Sequence, residues 1–105
     1  MDFKNISASE LQAKLTAGQV RLVDVRTDAE IARGYIPGAT KLPLHLLPLR
    51  LAEFDRAAPV VFYCQMGGRS AQAAAFAANQ GHAEVYNLQG GILAWAQSGL
   101  PLTAD

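Results

Sequence analysis

Four apolar residues, Val60-Val61-Phe62-Tyr63, run straight into Cys64-Gln65-Met66-Gly67-Gly68-Arg69-Ser70, and an alanine-rich stretch from Ser70 to Gln80 follows. A β-type run that hands over to a helical run through a short glycine-containing loop constrains this chain more than any other feature. It calls for a parallel strand buried on both faces, which is why the run is continuously apolar rather than alternating. The loop then lies at the strand's carboxyl end, where ligands bind in open α/β folds. The two glycines let successive amides curl toward one point, and such a turn forms an anion-binding nest. The N-terminus of the following helix adds partial positive charge, and Arg69 adds a full one. All three favour thiolate over thiol at Cys64, the first residue of the loop.

The plainer reading of a lone cysteine is a small buried hydrophobe. A core cysteine, however, has no need of two glycines, an arginine and a helix-opening serine directly after it. The pattern Cys-x-x-Gly-x-Arg-Ser after an apolar strand resembles the active-site loop of rhodanese-like domains, sulfurtransferases that carry sulfur as a cysteine persulfide. Other segments resemble the same family: Asp24-Val25-Arg26, then Glu30, then Gly34-Tyr35-Ile36-Pro37-Gly38-Ala39, and later Leu88-Gln89-Gly90-Gly91-Ile92-Leu93-Ala94-Trp95. Tyr35 stands where family members usually carry histidine, a position read as structural. The resemblance runs from about Ser7 to Pro101.

What the resemblance implies is an α/β fold, a rhodanese-like three-layer sandwich. Its central, mostly parallel sheet has about five short strands, with helices on both faces. Cys64 is then the catalytic nucleophile, and Gln65, Met66, Gly67, Gly68, Arg69 and Ser70 form the substrate-binding loop. Asp24, Arg26 and Glu30 support it. Neither a metal nor an organic cofactor is called for. The partners implied are a small-molecule sulfur donor such as thiosulfate, a cyanide or thiol acceptor, and, as a further possibility, a protein persulfide partner.

Length and totals agree with one domain over residues 1–105, a size that buries about two thirds of the surface its unfolded chain exposes. Nine basic residues balance nine acidic ones, which argues against nucleic acid or an anionic membrane as partner. A single cysteine forms no internal disulfide and suits a reducing compartment. No apolar stretch reaches the length of a bilayer span, and the N-terminus lacks a signal core. The expected location is cytoplasmic.

Along the chain, Ser7-Ala8-Ser9-Glu10 reads as a capping box opening a helix from Ala8 to Ala17, which Gly18 stops. A weak strand is expected near Phe3–Ile6 and stronger ones at Val20–Val25, Ala39–Leu42 and Val85–Leu88. Asp28 is expected to cap a short helix over Ala29–Arg33. In the leucine-dense segment from Leu42 to Leu51, Pro48 suits a first helical turn, with Leu47, Leu51 and Phe54 on one stripe. Core packing is the expected fate of this segment; an exposed patch for a partner or second copy is the alternative. Phe76 is expected to anchor the alanine helix, Trp95 to lie in the core, and residues 102–105 to trail loosely.

Within the loop, Arg69 has two possible roles. It faces a donor anion, or it turns back to a carboxylate such as Asp24 or Glu30 and braces the loop, the preferred reading. Ser70 is expected to cap the helix, with a bond to sulfur as an extra. Uncharged Gln65 and Met66 form the rim, so thiosulfate is expected to bind weakly. His45 and His82 are read as surface or loop residues, without metal-ligand spacing. An exposed thiolate of this kind is also expected to take up oxygen atoms. The main enzymatic rival is a cysteine phosphatase of related fold, which places five residues between cysteine and arginine where this chain has four. A persulfide carrier or binding module acting only with a protein partner is the other alternative.

Overall fold

The computed structural model of the chain describes residues 2–105. Five strands form one sheet: β1 (Lys4–Ile6), β2 (Arg21–Asp24), β3 (Thr40–Lys41), β4 (Val60–Tyr63) and β5 (Val85–Leu88). Their order is β1-β5-β4-β2-β3, and every neighbouring pair is parallel. The helices are α1 (Ala8–Thr16), α2 (Asp28–Ala32), α3 (Leu47–Arg50), α4 (Gly68–Asn79) and α5 (Gly91–Gln97).

The central position of β4 follows from its composition. Its four residues are all buried, and they alternate: Val60 and Phe62 join one core, Val61 and Tyr63 the other. The first core contains α4 through Ala73, Ala74, Ala77 and Ala78, with Leu47, Leu51 and Phe54 beside them. The second contains Ala8 and Leu11 of α1, and Ile92 and Trp95 of α5. Helices thus cover both faces of the sheet, and β2 and β5 flank β4 so that three strand ends converge on its loop.

Local signals set several boundaries. Ser7 and Glu10 make the reciprocal capping box at α1. At α2 the cap is Thr27 rather than Asp28, because Thr27 and Glu30 have the same Thr-x-x-Glu spacing and bond each other reciprocally. Four alanines, rather than Phe76, form the face of α4 on the sheet; small side chains let the backbone approach closely, and Phe76 is only half-buried.

Most of the leucine-dense segment is core. Leu42, Leu47 and Leu51 are buried, Leu44 and Leu46 pack against them, and Leu49 alone stands out at 79% exposed. Of the surface and loop readings of His82 the loop one stands: it lies between α4 and β5 beyond the turn at Gly81, but its imidazole is buried, with Nδ1 unpartnered. The C-terminal residues are not loose. Thr103 pairs with Tyr35 as an antiparallel bridge, and Asp105 bonds the Tyr35 hydroxyl and Lys41. No helix among the described residues is long and apolar enough to cross a membrane.

Candidate active site

Cys64 follows β4 directly, and its sulfur sits inside the curl of the loop. The Gly67 amide donates to Sγ at 3.1 Å, the Ser70 amide at 3.4 Å and the Ser70 hydroxyl lies at 3.3 Å. Gly67 makes the curl possible, with φ of 110° where a side chain would be strained. Burial pushes the Cys64 thiol up, but the Ser70 hydroxyl and the amides of Ser70, Gly67 and Met66 outweigh it. The net acidity is greater than that of an ordinary cysteine.

The side chain is also a member of the core cluster that contains α4, and only 1% of the residue is exposed. The expectation of an exposed thiolate is therefore corrected. The loop folds over the sulfur that its amides hold, so the same geometry that stabilises the anion covers it. Met66, 70% exposed, and Gln65 form the outer surface of the loop.

Arg69 faces away from the sulfur toward α2. Its Nη1 and Nη2 donate to the two oxygens of Glu30 at 2.7 and 2.9 Å, a bidentate pair that links the first turn of α4 to α2. That arginine, with the Thr27 cap, holds the Glu30 carboxyl at about 2, well below the usual carboxylate range. Asp24 does not take part. It is fully buried against Arg26, which donates to it at 2.8–3.2 Å and reaches the Gly34 carbonyl at 2.6 Å. Asp24 and Arg26 thus tie the end of β2 to the chain after α2, one strand away from the loop.

Ser70 corrects its expected role. It lies within the first turn of α4, which begins at Gly68 without a side-chain cap, and its hydroxyl is buried between Cys64 Sγ and Asn87 Oδ1, the latter at 2.5 Å. Asn87 in β5 is a support that the motifs do not single out, although a carboxamide inside an otherwise apolar strand is a signal that a buried partner exists. Its Nδ2 donates to the Gly67 carbonyl at 3.3 Å and to Asn5 of β1 at 3.0 Å.

A second support is the start of α5, which the paired glycines of the Leu88–Trp95 motif bring against the loop. The Ile92 amide donates to the Cys64 carbonyl at 2.9 Å and the Leu93 amide to the Gln65 carbonyl at 3.2 Å. Beside the loop lies a cleft of about 300 Å³, with Arg26, Glu30, Arg33 and Gln65 facing Ile92 and Leu93. His45 is exposed on the turn Leu44–Leu46 and makes no hydrogen bond to the sulfur. Among the described residues no cluster of His, Cys, Asp and Glu is arranged to hold a metal.

The family model described as the Rhodanese-like domain matches residues 7–98. The chain belongs to the rhodanese-like family. A protein named sulfurtransferase from Allochromatium vinosum is 54% identical over 85 residues, 81% of this chain and 79% of that one. The thiosulfate sulfurtransferase GlpE of Stutzerimonas stutzeri is 40% identical over 94 residues, 90% of this chain and 85% of that one. Among solved structures, a rhodanese-like domain protein from Staphylococcus aureus superposes with a TM-score of 0.87 at 36% identity, covering 98% of this chain and 99% of that one. The parallel five-stranded sheet with helices is the rhodanese-like fold these neighbours share.

Proposed function

We propose that this rhodanese-like domain is a sulfurtransferase that moves sulfane sulfur through a Cys64 persulfide. The observation that carries the reading is the convergence of two main-chain amides, those of Gly67 and Ser70, on a single cysteine sulfur. Donors fixed in place before reaction stabilise developing negative charge without reorganisation. The Cys64 thiolate attacks the sulfane sulfur of a donor such as thiosulfate; the donor's S–S bond breaks and sulfite leaves with the electron pair. An acceptor nucleophile, cyanide or a thiol, then attacks the outer sulfur of the persulfide and regenerates the thiolate. Arg33, in the cleft beside Gln65, supplies positive charge that the rim of Gln65 and Met66 lacks. Arg69 and Glu30 brace the loop rather than bind the donor.

The phosphatase reading is weakened by the same geometry. An arginine that clamps phosphate must hold its guanidinium over the bound anion, whereas each terminal nitrogen of Arg69 gives an N–H to Glu30, which turns the group toward α2. The deciding experiment is intact-mass analysis after incubation with thiosulfate, comparing wild type with Cys64→Ser. Gain of one sulfur by wild type alone is the expected result. No gain, or an equal gain by Cys64→Ser, refutes the proposal, and Cys64-dependent cleavage of an aryl phosphate would replace it.

A further inference from the structure

The Ser70 hydroxyl has one proton and two neighbours that compete for it. Asn87 Oδ1 lies 2.5 Å away and Cys64 Sγ 3.3 Å away. The orientation of the Asn87 amide is not free, because its nitrogen faces the Gly67 carbonyl, which only accepts. Its oxygen therefore faces Ser70. With Cys64 as a thiol, the order S–H to Ser70 oxygen, then Ser70 O–H to Asn87 oxygen, satisfies every group. With sulfur anionic, the Ser70 proton is wanted at sulfur, and turning it there leaves two oxygens facing each other without a hydrogen between them.

We propose that Asn87 is a positioning residue that directs the Ser70 hydroxyl toward its own carboxamide oxygen, and so restrains Cys64 from becoming the anionic nucleophile. Its acceptor draws away the hydroxyl proton that would otherwise join the loop amides in favouring the thiolate, and the balance decides how much nucleophile is present near neutral pH. The charged groups around the sulfur do not supply this restraint. Arg69 of α4 is paired with Glu30 of α2, and Asp24 and Arg26 at the end of β2 are paired with each other. Asn5 and Asn87 on β1 and β5 are neutral, and α5 offers main-chain amides to carbonyls. The use of this restraint in sulfur transfer rests on the function proposed above, whereas the competition for the proton does not.

Thiolate absorbance against pH tests the inference without any sulfur donor. Asn87→Leu removes the acceptor and should move the Cys64 titration to lower pH by about one unit. In a Ser70→Ala background the same substitution should move it by much less. A basic shift, no shift, or an equal shift in both backgrounds overturns the proposal. Should Asn87→Leu fail to fold, the isosteric Asn87→Asp serves: its carboxylate holds the proton harder and should shift the titration upward, with part of that shift lost in Ser70→Ala. An Asp shift that is absent, downward or independent of Ser70 is equally fatal. If the titrations behave as expected while no variant gains sulfur in the mass experiment, the sulfurtransferase reading fails and the proton competition stands.

Discussion

Replacing Gly91 by alanine tests whether α5 is what holds the loop from Cys64 to Ser70. Gly91 has φ of 62°, and a Cβ built there would lie 2.4 Å from the Gln65 carbonyl oxygen and 2.6 Å from that of Cys64. Both contacts are with main chain, so no side chain swings aside to relieve them. The left-handed conformation costs an L-residue about 1–2 kcal/mol. Backing the loop off also weakens the Ile92–Cys64 and Leu93–Gln65 hydrogen bonds, worth about 0.5–1.5 kcal/mol each. The total is roughly 2–5 kcal/mol. Gly18 provides the control, since its φ is 68° but a Cβ would meet nothing within 4 Å. Gly18→Ala should therefore lose only the conformational share, about 1–2 kcal/mol. Urea unfolding of both variants gives the stability difference, and mass analysis after thiosulfate gives sulfur uptake. Gly91→Ala should be the less stable variant and should take up sulfur poorly, while Gly18→Ala keeps full uptake. Equal destabilisation together with undiminished uptake in Gly91→Ala would refute the idea that this close approach shapes the loop.

Glu30→Gln should weaken the brace on Arg69 and lower transfer with every donor, not thiosulfate alone. Because the Glu30 and Arg69 side chains are 27% and 37% exposed, solvent screening keeps the stability loss at about 1 kcal/mol. The folded carboxyl titrates at about 2 against an ordinary 4.5, so its contribution is complete above about pH 4.5 and lost as pH falls toward about 2. The urea midpoints of wild type and Glu30→Gln should converge over that range. At His82, burial first and then Arg56 hold the imidazole below its ordinary value. The folded state thus binds fewer protons than the unfolded one, and wild type should lose stability as pH falls below about 6.5. His82→Leu, compared by thermal unfolding across that interval, should show a flatter profile.

Features that depend on residues close in sequence are legible in the sequence by itself. The Ser7–Glu10 box, the apolar run of β4 and the glycine loop leading into α4 each act within a few positions, so spacing and residue type carry the information. Even the difference at α2 is local, a choice between adjacent capping residues ahead of the same glutamate. The fold class and the place of Cys64 at a strand end follow from the same local grammar.

What tertiary structure alone decided are the contacts between distant segments. Arg69 finds Glu30 across 39 residues, although Asp24 is an equally eligible carboxylate in the sequence; Asp24 is already taken by Arg26 two residues away. Ser70 turns from the helix end to Asn87, and Asn87 reaches Asn5 across 82 residues, because the order β1-β5-β4 brings those strands side by side. Phe76 yields the sheet face of α4 to alanines, and Thr103 pairs with Tyr35, for a related reason. Local propensity specifies which elements form, but burial and hydrogen-bond satisfaction are settled only after they pack, when each buried polar group must take whichever partner the topology has brought within reach.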